Sequence, residues 1–485
     1  MPVQTSRPSG EEKRALYADR ANCIAALNGK TIVFVSPGYP GKRFIFDKAF
    51  ELGVNSVVID SPGSWTLELE KAGTVHKVLA VDMSGDEDSI FEHTASAIKG
   101  LNIPIDGICT FVELSAPLTA RLCEHFQVSG HSSLSVQWAR DKHLTRKAVA
   151  STPCTMEYAI RNFLIKEGTN SELARAAEFV KFPAIVKPVS GAASLGVHRV
   201  DNLEELIDTY RETCLLVSEL IVSSGALERK ITRESVDGDD TPTSVEDLKS
   251  NVSSLSNTAI VIEEYISGKE IDIDIILCDG ELTFCEISDN GPTVEPYFGE
   301  TWNNCPTLLS ASQQEELKQM AFKITTDALG FESGVFHVEG KYSPNGPRLI
   351  EVNCRMGGGP IRTVHLLRSG VDLVVEQILL AAGLPSVPPT IPAGEQVSIG
   401  FVDVNARKSG SIGSLDWVQS YFAGREGFVY VKPFITPGEH IVGPEEGQPT
   451  WLAEAVFTRA TPEEAQRDAI TLNEEMQIVF ESHYL

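Results

Sequence analysis

At 485 residues, 42% of them hydrophobic and 22% charged, the chain is too long for one ordinary domain and has the makeup of a globular protein with substantial cores. Lys and Arg number 41 against 67 Asp and Glu, a formal net charge of −26. That balance argues against a nucleic-acid or anionic-membrane partner, because phosphate surfaces need clustered cations.

The first 28 residues read as a polar N-terminal segment without the apolar stretch of a secretory signal, and no run approaches the ~18 apolar residues of a membrane span. Nine cysteines stand singly, with no CxxC pair, so they read as reduced thiols of a cytoplasmic protein. TIVFVS (31–36) is a strand, a helix follows over 44–52, and strands recur at VNSVVID (54–60), HKVLAVD (76–82) and DGICTFVE (106–113). This alternation predicts a small doubly wound parallel-sheet domain over 29–135. The loop SPGYPGKR (36–43) has neither standard phosphate-loop spacing, so a tight turn is the plainer reading and a substrate role stays open.

From Asp141 the character changes: DKHLTRKAVA opens a basic helix, a polar helix covers 171–181, and FPAIVKPV (182–189) is a buried strand. Residues 223–258, rich in Ser, Asp and Thr, predict an exposed and partly mobile insertion. Strands return at AIVIEEYI (259–266), EIDIDIILC (270–278) and ELTFCEIS (281–288), with Asp279-Gly280 as a hairpin signal, and then at GVFHVEGKYS and PRLIEVN. The Pro-rich joint GLPSVPPTIP (383–392) precedes a last segment with strands QVSIGFVDVNA and GFVYVKPFI and a closing helix, TPEEAQRDAITLNEEMQIVF.

Four features carry chemistry. Lys142 and Lys187 are candidate phosphate contacts; Lys187 ends a strand before the small-residue loop SGAASLGV (190–197), whose backbone N–H groups can approach an anion at Gly191, Ser194 and Gly196. In VIEEYISGKE, Glu263, Glu264, Tyr265 and Ile266 suit one edge of an adenine slot, with Glu270 in reach of ribose hydroxyls. Glu339 and Glu351 each interrupt an apolar run, where a carboxylate needs a cation or donors. A hairpin through SPNGP would join them with Asn353 as hard oxygen ligands for magnesium. Arg355, followed by three glycines (357–359), offers a guanidinium and bare N–H groups to a developing oxyanion. Taken singly, each has a plain alternative: a strand end, a solvated edge, a pair of unrelated acids, a turn.

In this order, DGICTFVE, DKHLTRKAVA, FPAIVKPVSGAASLGV, VIEEYISGKEIDIDI, FHVEGKY and LIEVNCRMGGGP resemble the ATP-grasp superfamily, and within it the L-amino acid ligases and the ligase half of carnosine synthase. The resemblance implies an α/β ATP-grasp fold with α+β subdomains: the doubly wound domain first, an ATP-grasp domain over 136–384 with its lid at about 182–265, and a C-terminal subdomain over 385–485. It implies ATP held by Lys142, Lys187, Gly191, Ser194, Gly196, Glu263, Tyr265, Ile266 and Glu270. Two magnesium ions, with manganese as a substitute, would sit on Glu339, Glu351 and Asn353. Glu351 and Arg355 would be catalytic. Glu300, Trp302, Arg355, Gly357 and Gly358 would face the substrates, a small-molecule carboxylate and an amine; a homodimer stays open. The lid loop departs from its relatives in carrying Ala192 and Ala193 where Gly or Ser is usual. Two other readings compete with an amino-acid ligase: a carboxylase or purine-pathway type of ATP-grasp enzyme, and a non-catalytic ATP-binding regulator.

Overall fold

Short runs of β-branched residues build the first sheet of the computed structural model, which describes residues 20–83, 85–191, 194–223, 226–229 and 259–485. Strands β1 (Thr31–Val35), β2 (Asn55–Asp60), β3 (Lys77–Ala80) and β4 (Gly107–Cys109) are all parallel, in the order β3-β2-β1-β4. Every β1 residue is buried, as a parallel strand covered on both faces must be. Phe34 and Val58 pack against Phe46 and Ala49 of helix Arg43–Glu51, while Val33 and Val57 face Ala95 and Ile98 of helix Glu87–Gly100. β4 is shorter than the run DGICTFVE because Thr110 Oγ1 donates to the Val35 carbonyl (2.7 Å) and accepts from the Val112 amide (3.0 Å), turning the chain out of the sheet. Part of the segment read as merely polar is a helix, Arg20–Ala25, whose Arg20 donates to the buried Glu376 (Nη1 to Oε2, 3.1 Å).

The second sheet is antiparallel. It contains β5 (Asn162–Ile165), β6 (Ala184–Pro188) and β7 (His198–Val200); a separate hairpin, β8 (Leu220–Ser223) with β9 (Ala226–Arg229), precedes its last member, β10 (Ile260–Glu264). The order is β5-β10-β6-β7, and helix Asn170–Val180 packs Leu173, Ala176 and Val180 onto Val186 and Ile262. Apart from Ser223 and Ala226–Arg229, the insertion expected at 223–258 lies outside the described residues, as do Ala192 and Ala193.

The third sheet has eight strands: β11 (Lys269–Cys278), β12 (Glu281–Asn290), β13 (Trp302–Cys305), β14 (Gly334–Ser343), β15 (Gly346–Asn353), β16 (Ser398–Asn405), β17 (Phe428–Pro433) and β18 (Trp451–Arg459). Their order is β15-β14-β11-β12-β13-β16-β18-β17. Asp279 (φ 53°) and Gly280 (φ 80°) make the two-residue turn between β11 and β12 that their sequence demands. Strands from both sides of the Pro-rich joint share this sheet through the β13–β16 pairing.

Its two faces differ in chemistry. On one, Ile271, Ile273 and Ile275 meet Leu317, Met320 and Ala321 of helix Ala311–Lys323, and Val402 and Val404 meet Ala469 and Met476 of helix Pro462–Ser482. The other face carries the alternate residues, and many are acids: Glu351 pairs across from Glu339, Glu339 from Asp272, and, further along, Asp403 from Glu454. Among the described residues no helix is long and apolar enough to cross a membrane. Ile273 is fully buried between sheet and helix. Ile273→Ala is expected to cost about 2–5 kcal/mol, read as a lower midpoint in urea unfolding.

Candidate active site

A single cavity gathers most of the residues singled out above. Helix Lys142–Ser151 begins at Asp141, whose carboxylate caps it by accepting from the Leu144 amide (2.9 Å). The Lys142 amide donates to the Val189 carbonyl (3.0 Å), which sets the helix start beside the end of β6 and hence Lys142 beside Lys187. Both lysines are buried and both line the cavity. Lys142 Nζ lies 3.1 Å from Glu351 Oε1, and Lys187 Nζ lies 2.7 Å from Glu263 Oε2. Burial lowers the Lys187 pKa; the neighbouring Glu263 works against that shift.

Glu263 lines the same cavity, and its side chain is already engaged. Its carboxylate is buried and takes a bidentate pair from Arg146 (Nε 2.9 Å, Nη2 3.0 Å) as well as Lys187, and these cations overcome burial to hold its pKa down to about 2. Arg146 was not foreseen, although its spacing of four from Lys142 places it on the same helix face. It also donates to the Ile350 carbonyl (2.7 Å), joining the helix to β15. Glu264 at the end of β10, with Tyr265 and Ile266 after it, lines the cavity, and the Tyr265 ring lies under Arg199 (4.8 Å) and Lys341 (5.4 Å). Glu270, also in the wall, lies 3.1 Å from Lys341 Nζ. Gly191 and Ser194 line the cavity; Gly196 does not, and packs back on Pro188.

On the floor, the β14–β15 register sets Glu339 opposite Glu351. Asn353 Nδ2 donates to Glu339 Oε1 (3.0 Å), and Arg355 Nη2 donates to Asn353 Oδ1 (3.3 Å). Burial and then the Glu351 charge push the Glu339 carboxyl up to about 7. Glu351 goes the other way: burial opposes its charge, but Lys142 and Lys187 outweigh it. Two carboxylates facing each other with an amide oxygen beside them form an all-oxygen donor set that a hard divalent cation fits, since it would relieve the repulsion that raises Glu339.

The structure adds residues the sequence did not flag. His337 Nδ1 and His365 Nε2 flank the buried Asp274 at 2.9 and 2.8 Å. Burial works against charge on His337, but Asp274 and Asp272 prevail and raise it to about 10, so it is an imidazolium beside Glu339. The signal was present in EIDIDI, where acids alternate with isoleucines on a strand buried on both faces. Glu113 bridges Arg140 (3.2 Å) and Arg355 (3.3 Å), fixing the guanidinium from behind.

Glu300 lines the cavity as expected. Three expected residues lie off this cavity. Trp302 packs into the core beside Val402 and the closing helix, because β13 turns its ring away from the cavity. Gly357 and Gly358 lie outside the cavity wall, and Gly357 packs so tightly on His337 and Ile361 that a Cβ would meet them at 2.8 Å. A larger cavity, about 630 Å³, is lined by Cys109, Cys123, Cys278, Cys354 and other residues, but by no lysine or arginine among the described residues, so it lacks the opposed charges of the first.

An opened cavity with two lysines on one wall and paired glutamates on a β-hairpin floor is the arrangement against which known proteins can be compared. Residues 46–128 match the ATP-grasp N-terminal domain, and residues 239–364 match the ATP-grasp domain. The fold is the ATP-grasp fold. The L-amino acid ligase from Bacillus licheniformis superposes with a TM-score of 0.67 at 19% identity, over 92% of this chain and 98% of that one. N5-carboxyaminoimidazole synthetase from Staphylococcus aureus, solved with ADP, gives 0.62 at 15%, over 92% and 97%. Carnosine synthase 1 of Gallus gallus is 29% identical over 449 residues, which cover 89% of this chain and 44% of that protein. The chain thus spans less than half the length of the curated carnosine synthases it matches. It resembles ATP-grasp ligases along nearly all of its own length.

The Glu263 clamp yields a pH expectation. Its pKa falls from 4.5 to about 2 on folding, so its stabilisation is present above pH 4.5 and is lost as pH drops towards 2. Glu263→Gln, which leaves Arg146 and Lys187 without their counter-charge, should cost about 3–5 kcal/mol at neutral pH. Chemical unfolding at several pH values should show the variant with a flatter acid limb than the parent.

Proposed function

We propose that the chain is an ATP-dependent carboxylate–amine ligase that activates a carboxylate, that of an amino acid, as an acyl phosphate and joins it to an amine, a second amino acid. The observation that carries this reading is the opposition, within one cavity, of Lys142 and Lys187 to the Glu339, Glu351 and Asn353 oxygen set. Nucleotide phosphates would lie between the two, with Lys142 and Lys187 as point charges and the backbone of the 190–197 loop over them. Glu264, Tyr265 and Ile266 border the adenine in this reading, and Glu270 the ribose. Glu263 is moved from the base to a positioning role, holding Lys187 and Arg146 in place.

Magnesium, when bound on Glu339, Glu351 and Asn353, supplies charge neutralisation for the phosphates. The chain's own residues do the rest. A substrate carboxylate oxygen attacks the γ-phosphorus, and the bond to the β,γ-bridging oxygen breaks to release ADP. Arg355, braced by Glu113 and Asn353, holds the negative charge that gathers on the acyl phosphate and on the tetrahedral adduct. The amine nitrogen then bonds to the acyl carbon, phosphate departs with the C–O electron pair, and the nitrogen loses a proton. Glu300 and the neighbouring Asp272 favour an approaching protonated amine over an anion. The protein acts as a small-molecule enzyme of the cytoplasm on this reading. Similarity to the amino-acid ligases favours it over the carboxylase alternative.

The test is phosphate release from ATP with magnesium across a matrix of amino-acid pairs. Stimulation by particular pairs is expected; ATP binding with no stimulation by any pair sinks the reading. Glu351→Gln and Arg355→Ala should each lower kcat about 100-fold or more, measured by the same release assay. Retained activity in Glu351→Gln would remove the metal assignment.

A further inference from the structure

The larger cavity, about 630 Å³, lies directly behind Arg355. Asn353 and Arg355 line the first cavity, and Cys354, between them in the chain, lines the second, so one stretch of backbone separates the two spaces. The rest of its wall comes from β4, helix Ala116–Phe126, the β11–β12 turn, the loop before β14 and the end of helix Leu373–Ala381. The space opens to solvent, since Ser129, Gly130, Glu332 and Gly383 in its wall are exposed. Its volume is in the range that takes a whole small molecule.

Two polar side chains in that wall lack partners. Gln377 is only 9% exposed; its Oε1 accepts a long bond from the Val335 amide (3.4 Å), and among the described residues its Nε2 donates to nothing. His131 stands between the rings of Phe331 (5.0 Å) and Phe336 (5.3 Å), and among the described residues neither of its ring nitrogens has a hydrogen-bond partner. Burial holds its pKa down to about 4, so at neutral pH the ring is uncharged and offers one donor and one acceptor. A buried amide N–H without an acceptor is costly, and a ligand oxygen or ring nitrogen would relieve it.

Charge narrows the class of ligand. The wall holds no Lys or Arg among the described residues, and its carboxylates, Asp279 and Glu332, are exposed at the mouth. Burial pushes the Cys109 and Cys123 thiols up, so they stay protonated and add no charge. An anion would pass two acids and find no cation inside. A cation would leave those acids behind at the mouth and lose its hydration further in. An uncharged molecule meets neither penalty.

We infer that this second cavity is a binding site for a small uncharged molecule, its apolar body against Val128, Leu380 and Leu384 and a hydrogen-bond-accepting group on Gln377 Nε2. The site is separate from the first cavity and fills independently of it. It stands whether or not the chain is a ligase, because nothing in its wall takes part in that reading.

Three molecules on one ring system decide it: naphthamide, which is neutral with a carbonyl acceptor, and its charged matches naphthoate and naphthylmethylammonium. Titrated calorimetrically into the full chain, naphthamide should bind about tenfold tighter than either match, and equally with or without excess magnesium and ADP. Gln377→Met, which deletes the donor at similar size, should weaken naphthamide about tenfold, and Leu384→Trp, which fills the space, should abolish its binding. Thiol labelling of the parent chain reads the site without any variant. Bound naphthamide should slow the reaction of Cys109, Cys123, Cys278 and Cys354 with N-ethylmaleimide about threefold or more, followed by mass spectrometry, while the exposed Cys154 reacts as before. No binding of naphthamide, equal binding of all three molecules, displacement by magnesium and ADP, or unchanged labelling of the four cavity thiols overturns the site.

Discussion

Two lysines are buried inside this protein, and a carboxylate stands within reach of each. Lys142 leans on Glu351 and Lys187 on Glu263, and the same two acids are depressed or held ionised by those cations. One acid of this floor lacks that support. Glu339, opposite Glu351, has no lysine of its own and is pushed up to about 7. A buried ion pair by itself is weak evidence for stability, since desolvation can exceed the Coulomb gain. What the pairs secure is a fixed geometry of opposite charges around a space the size of a polyanion's path.

The elements that hold the two signs are different in kind. Apart from Glu263 on β10, the acids belong to a continuous sheet whose other face is an isoleucine and valine core, so their spacing is fixed by backbone hydrogen bonds. The cations come from a helix start and from the end of an interior strand, β6, of a separate four-stranded sheet, joined by the Lys142 amide to Val189 carbonyl bond and by Arg146. Closure over a ligand would move one set against the other while leaving each set intact.

Much of this was legible in the sequence, and for definite reasons. Strands with β-branched runs and turn residues at their ends, such as β1, β11 and the Asp279-Gly280 hairpin, announce themselves through local chemistry. The Glu339–Glu351–Asn353 cluster was readable because a hairpin of known register follows from SPNGP between two apolar runs. Other features depend on partners distant in sequence. β13 is four residues long and β18 reads WLAEAVFTR, and neither declares which strand it joins. Trp302 was expected to face the substrates, yet the β13 pleat, set by pairing with β16, turned it towards the core. The partners of Glu263 were hidden for a similar reason: its parity on β10 points it at Arg146 and Lys187, and only the pairing with β6 reveals that.

The single sheet running through the Pro-rich joint has a consequence for how negative charge is spaced. With acids at fixed strands, Glu351, Glu339, Asp272, Asp403 and Glu454 mark off one face in steps of the interstrand distance. Such a face holds its acids at multiples of about 4.8 Å. A loop can change such spacings by bending, but a hydrogen-bonded sheet cannot.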